Sequence, residues 1–131
     1  MKQLLIVFMF LFGLGCGQNT KDETSSSLQE ISSEELIARM KTGEEIVLMD
    51  VRTSGEISEG IIRGASIFVD YTSGQLDQVL TGLDKNKTYV VYCRSGGRSS
   101  SAGDQMIRQG FTHVYSLSGG ISQWQGEIIR R

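Results

Sequence analysis

The chain contains no proline, and only one histidine, one tryptophan and two cysteines among 131 residues. Each scarcity excludes something. Without proline, every turn falls to Gly, Ser, Asn, Asp or Thr, and sixteen glycines are available for that role. One histidine and two cysteines make no ligand set, so no metal centre and no cofactor are expected. A dominant charge is missing too: thirteen Lys and Arg stand against fifteen Asp and Glu, for a net charge of −2. Both signs are interspersed, and there is no basic block or stripe to bind nucleic acid or a strongly anionic membrane face. No apolar run reaches the roughly twenty residues of a membrane-spanning helix. A chain of 131 residues that is 39% hydrophobic has room for one globular domain around one core.

What is present begins with "MKQLLIVFMFLFGLGCG". A positive charge at Lys2 is followed by eleven almost wholly apolar residues, Leu4 to Leu14, and by small residues around Gly15, the layout of a secretory signal. Cys16 comes next. A signal that ends in a small residue and a cysteine resembles the lipobox of bacterial lipoproteins. That resemblance implies that the Cys16 thiol receives diacylglycerol and becomes the mature N-terminus of an exported protein, anchored to the membrane and facing the periplasm. Gly13 and Leu14 depart from the usual leucine and small residue before the cysteine, and a plain cleaved signal or an uncleaved short anchor are the alternatives. The following "QNTKDETSSS" is polar and without periodicity, as a flexible tether would be. The expected organisation is a signal peptide over 1–15, a lipidated cysteine and tether over 16–27, and a folded domain over 28–131. With Cys16 lipidated, Cys93 has no partner for an intramolecular disulfide.

In the domain, "SSEELIARMKTG" predicts a capped amphipathic helix with Ser32 as N-cap, Glu35 three residues on, Leu36, Ile37 and Met40 on one face and Gly43 as the stop. The short apolar run "EIVLMDV", rich in β-branched residues, reads as a buried strand ending near Val51. "ASIFVD", "TYVVYC" and "THVYSL" read as further strands. "SSSAGDQMIRQGF" is helical, with Ala102, Met106 and Ile107 on one face and Gly110 at its end. Strands alternating with helices give an α/β sandwich around a mostly parallel sheet, and ligands of such sheets gather at the carboxyl ends of the strands.

Cys93 stands at such an end, with "VVYC" as strand, "RSGGR" as loop and "SSSAGDQMIRQ" as helix. Amides of a helix's first turn carry partial positive charge, and a glycine-rich loop can turn its own N–H groups to the same point. Arg94 and Arg98 add permanent cations. The thiolate is therefore favoured, and the loop suits a sulfur that carries negative charge with an anionic substrate beside it. A cysteine closing a buried strand can be merely a small hydrophobe, but such a residue has no use for two glycines and two arginines in the next five positions. Either arginine could instead pair with a surface carboxylate. Arg98 is favoured over Arg94 as substrate ligand because it ends the loop near the helix start.

These residues resemble a rhodanese domain of the single-domain sulfurtransferase type. The motifs "MDVRT", "GIIRGA", "CRSGGRS" and "GGISQW" follow in the family's order and spacing between Ile31 and Trp124. The resemblance implies a three-layer α/β/α sandwich in which Cys93 accepts a sulfane sulfur as a persulfide and passes it to a nucleophilic acceptor. Arg94, Ser95, Gly96, Gly97, Arg98 and Ser99 would cradle it. Asp50 and Arg52 match the family's D-x-R and are expected to support the site as a strand-end ion pair that locks the neighbouring loop. Related dual-specificity phosphatases place an arginine six residues after the cysteine, whereas Arg98 is five after Cys93 and Ser99 is sixth, a loop that fits sulfur better than phosphate.

Two positions depart from the family's G-H-I-x-G-A segment. Ile61 replaces the usual histidine, so activation of Cys93 falls to amides and arginines, and His113 is expected at a strand edge or surface. Arg63 replaces a frequent proline and is expected to be solvated. Trp124 is expected to pack a last helix against the sheet. The implied function is transfer of sulfane sulfur from thiosulfate or a persulfide, a small anionic donor, to a thiol or cyanide. A module that carries or senses sulfur, or docks a partner, without turnover is the alternative, and phosphatase or arsenate reductase chemistry is disfavoured by the loop length.

Overall fold

The computed structural model describes residues 27–131. The signal segment 1–15, Cys16 and nearly all of the tether lie outside the described residues.

The chain enters through a short strand, β1 (Gln29–Ile31), which the sequence reading does not foresee. Its three residues are too few for a periodic signal, and only Ile31 is buried. Helix α1 (Ser33–Lys41) follows, with the Ser32 hydroxyl accepting from the Glu35 amide at 3.1 Å. Strand β2 (Ile46–Asp50) leads into the five-residue helix α2 (Ser54–Ser58), closed by a capping box in which Thr53 and Glu56 satisfy each other's backbone amides. Next come β3 (Ile61–Ile62), β4 (Ala65–Phe68), a 3₁₀ turn (Tyr71–Ser73) and α3 (Leu76–Thr81). The last part holds β5 (Thr88–Tyr92), α4 (Gly97–Arg108), β6 (His113–Leu117), a 3₁₀ turn (Ile121–Gln123) and β7 (Ile128–Ile129).

Five strands form one wholly parallel sheet in the order β1-β6-β5-β2-β4, while β3 and β7 make a separate antiparallel ribbon. Helices cover both faces. Along β5, Tyr89 and Val91 face a core that includes Leu76 and Leu80 of α3 and Ala102 and Met106 of α4. Val90 and Tyr92 face the other core, with Leu36 of α1 and the β3 isoleucines. Burial on both sides is why "YVVY" shows no polar alternation. The period of two carries Cys93, one residue past the strand, onto the α3/α4 face. The strand order sets β5 between β6 and β2, and the Val51 amide donates to the Tyr92 carbonyl at 3.0 Å, so the segment after β2 lies alongside the cysteine loop.

Candidate active site

Cys93 is 1% exposed, yet its sulfur is not in an apolar setting. Its Sγ accepts from the Gly96 amide at 3.1 Å and lies 3.6 Å from the Ser99 hydroxyl, to which the thiol form donates. Gly96 caps α4 with φ 116°, a left-handed conformation that glycine adopts without the penalty a Cβ would bring. Helix α4 begins at Gly97, two residues earlier than the sequence reading places it, so Gly97 and Arg98 belong to the first turn rather than to the loop. The free amides of that turn and the dipole of a twelve-residue helix therefore act at the sulfur. Burial by itself would push the Cys93 thiol up. The amide and hydroxyl of Ser99 and the amides of Gly96 and Ser95 act the other way, outweigh it, and hold the thiol below its ordinary value.

Ser99 is wholly buried, and its hydroxyl is shared among the sulfur, the Gly96 carbonyl at 3.1 Å and the Ser116 hydroxyl at 2.8 Å. When Ser116 donates to Ser99, the Ser99 proton is free to turn toward a sulfur anion. Ser116, the buried polar residue of the strand "HVYSL", is not singled out by the sequence reading, although a serine among apolar strand residues is the signal that could have found it.

The two loop arginines divide their roles in a way the sequence ranking does not anticipate. Arg98 Nη1 and Nη2 donate to the two carboxylate oxygens of Glu56, each at 2.7 Å. Because both ends of its fork are engaged, Arg98 is not the open cation expected of it. The Arg98 pair, opposed by burial and aided by Thr53, draws the Glu56 carboxyl down to about 2. Glu56 is a second residue that sequence reading missed; its spacing of three from Thr53 announces a helix cap but not a partner across the fold. Arg94 forms no ion pair among the described residues and is exposed. With Arg52, Glu56, Glu59, Ile121 and Ser122 it lines a cleft of about 220 Å³ beside the loop. Ser95 and Gly97 are also exposed.

Asp50 and Arg52 form a buried pair at the end of β2, 0% and 4% exposed. Arg52 Nη2 donates to Asp50 Oδ2 and to the Gly60 carbonyl, both at 2.7 Å, and Nη1 reaches the Glu56 carbonyl at 3.3 Å. The pair thus ties the end of β2 to the middle of α2 and to the segment just past it, and so positions the Glu56 that holds Arg98.

From the other side, the Ile121 and Ser122 amides donate to the Cys93 and Arg94 carbonyls at 2.9 and 3.0 Å. A Cβ on Gly120 would stand 2.5 Å from those same backbone atoms, so the "GG" turn clamps the base of the cysteine loop. The segment after it is a 3₁₀ turn rather than a helix, and Trp124 is half-buried at the margin of the α1-side core, its indole donating to the Glu127 carbonyl at 3.3 Å. Ile61 is buried in that same core, and His113 is exposed at the start of β6, 2.9 Å from the Thr112 hydroxyl. Arg63 is exposed and pairs with Glu127.

The model of the rhodanese-like domain matches residues 32–127. The chain is 38% identical over 100 residues to YtwF of Bacillus subtilis, covering 76% of this chain and 93% of that protein. It is 35% identical over 97 residues to a sulfurtransferase of Allochromatium vinosum, covering 74% of this chain and 88% of that protein. The crystal structure of a rhodanese-like domain protein from Staphylococcus aureus superposes with a TM-score of 0.71 at 23% identity, covering 79% of this chain and 99% of the other. The parallel sheet with helices on both faces is thus a rhodanese-like fold. With its family match running from the cap of α1 to the residue before β7, and with Cys93 at the mouth of α4, the chain belongs to the rhodanese-like family.

Proposed function

We propose that the protein is a sulfurtransferase that moves sulfane sulfur from thiosulfate or a persulfide donor to a thiol or cyanide through a persulfide on Cys93. The observation that carries this reading is the Gly96 amide directed at the Cys93 sulfur, beside a helix N-terminus, in a site where the thiol is held below its ordinary value. In the loading step the Cys93 thiolate attacks the outer sulfur of thiosulfate. A new S–S bond forms, the sulfur–sulfur bond of thiosulfate breaks, and sulfite leaves with the electron pair. The Ser95, Gly96 and Ser99 amides are suited to receive the added sulfur, and Arg94 is the cation open to the donor. Rhodanese membership and the sulfurtransferase name of the Allochromatium relative support the reaction class. The engagement of Arg98 by Glu56 supports sulfur over phosphate, because the arginine nearest the phosphatase position is paired and leaves only Arg94, at the start of the loop, open to an anion.

The test is incubation of the full chain in detergent with thiosulfate, followed by peptide mass measurement. A gain of one sulfur atom on the Cys93 peptide is expected; no gain from thiosulfate or polysulfide sinks the reading. Repeated turnover with cyanide separates an enzyme from a sulfur carrier. The same proposal extends to the N-terminus, where the apolar run ending at Cys16 supports export and lipid anchoring. Labelled palmitate should be incorporated, and Cys16→Ala should abolish that incorporation.

A further inference from the structure

The cleft beside the cysteine loop carries four charged side chains, Arg52, Glu56, Glu59 and Arg94, and two of them are already neutralised. Arg52 is spent on Asp50 and Glu56 on Arg98. That leaves one cation and one anion. Arg94 and Glu59 are both exposed, and neither takes part in an ion pair or a side-chain hydrogen bond among the described residues. The remaining wall is Ile121 and Ser122, whose amides are tied to the Cys93 and Arg94 carbonyls, so the cleft is joined directly to the cysteine loop.

A site prepared only for a small dianion has no use for an unpaired carboxylate on its rim, since a like charge opposes binding. We infer that this cleft selects the sulfur acceptor, and that the acceptor is a small zwitterionic thiol carrying both a carboxylate and an ammonium group, the first held by Arg94 and the second by Glu59. This inference rests on the sulfurtransferase reading and specifies its second half-reaction. The acceptor thiolate attacks the outer sulfur of the Cys93 persulfide and a new S–S bond forms on the acceptor. The bond to Cys93 Sγ breaks with its electron pair, which restores the Cys93 thiolate, and the transferred outer sulfur takes with it to the acceptor whatever proton it carried in the Cys93 persulfide. No oxidant or reductant is consumed. Glu59 is a specificity residue here and takes no part in the bond changes.

The full chain, loaded on Cys93 with thiosulfate and freed of excess donor, is mixed with cysteine, cysteamine, mercaptopropionate or mercaptoethanol. Loss of the Cys93 adduct is followed by mass, with rates expressed per thiolate. Cysteine is expected to react fastest. Glu59→Gln should slow cysteine and cysteamine about threefold to tenfold, as loss of a partly exposed ion pair allows, leave mercaptoethanol unchanged and speed mercaptopropionate, which is relieved of a like charge. Glu59→Lys should reverse the order of cysteamine and mercaptopropionate. Equal rates for all four thiols with the parent chain, or equal slowing of all four by Glu59→Gln, overturn the inference while leaving the sulfurtransferase reading intact. Failure of Cys93 to gain sulfur overturns both.

Discussion

Arg98 of α4 and Glu56 of α2 form a two-point ion pair, both contacts at 2.7 Å, between residues 42 positions apart. Glu56 is at the same time the N3 residue of the α2 capping box, accepting from the Thr53 amide at 3.0 Å. One carboxylate therefore ties the first turn of the helix behind Cys93 to the helix that follows the Asp50–Arg52 pair.

Glu56→Gln keeps the size of the side chain but loses the charge-assisted half of both roles. The loss expected is about 1 kcal/mol near neutrality, from a weakened cap and a partly exposed ion pair. Urea denaturation measures it. The pH dependence has a definite sign. The Glu56 carboxyl sits at about 2 in the folded protein against 4.5 for a free glutamate, so its contribution is complete above 4.5 and fades as pH falls toward 2. The parent should lose stability across that window more steeply than the Gln variant, whose curve lacks this component.

The Cys93 thiol should titrate below an ordinary cysteine when followed by thiolate absorbance, with Cys93→Ser subtracting the signal of Cys16. Ser99→Ala should move it upward, because the hydroxyl is one of the groups that offset burial. The amides of Ser99 and Gly96 remain in that variant, so the shift is partial. An unchanged titration would mean that the amides alone hold the thiolate.

Two glycines near the site should respond in opposite directions to alanine. At Gly120, φ is 58° and the added Cβ would meet the Arg94 and Cys93 backbone at 2.5 Å, so neither strain nor clash can be relieved by turning a side chain. Gly120→Ala should cost at least about 2 kcal/mol and displace the cysteine loop. At Gly97, in the first turn of α4, nothing lies within 4 Å of an added Cβ. Gly97→Ala should leave stability unchanged or raise it by up to about 1 kcal/mol. Thermal melts of the two variants compare them directly.

Asp50→Asn leaves the Arg52 guanidinium, 4% exposed, without its counter-charge. The expected loss is on the order of 3 kcal/mol, as for other broken buried pairs. Asp50→Leu combined with Arg52→Met removes both charges and should recover part of that loss. Recovery is incomplete because the Gly60 carbonyl, which accepts from Arg52 at 2.7 Å, is then left without this donor. Equilibrium denaturation of single and double variants tests the ordering.

Local patterns in the chain were enough to read α1 with its Ser32 cap, the apolar strands β2 and β5, and the placement of Cys93 between a strand and a helix, whereas the Asp50–Arg52 pairing was expected from the family's D-x-R motif. Each of the local readings depends on groups within a few residues of one another, or on a side-chain period of two or 3.6. The strands β1, β3 and β7 escaped that reading because two or three residues carry no period; β3 and β7 exist only through pairing with each other, and β1 only through pairing with β6. The division of labour between the arginines was equally out of reach. Arg94 and Arg98 look alike along the chain, and it is the parallel order β1-β6-β5-β2-β4 that brings the end of β2, and α2 behind it, beside the end of β5. That neighbourhood supplies Arg98 with Glu56. Across the other edge of β5, β6 supplies Ser99 with Ser116. The sequence thus specified a charged-sulfur loop, while the packing of distant segments around it chose which cation stays open and which hydroxyl faces the sulfur, since ion pairs and hydrogen bonds form between groups that are close in space, whatever their separation along the chain.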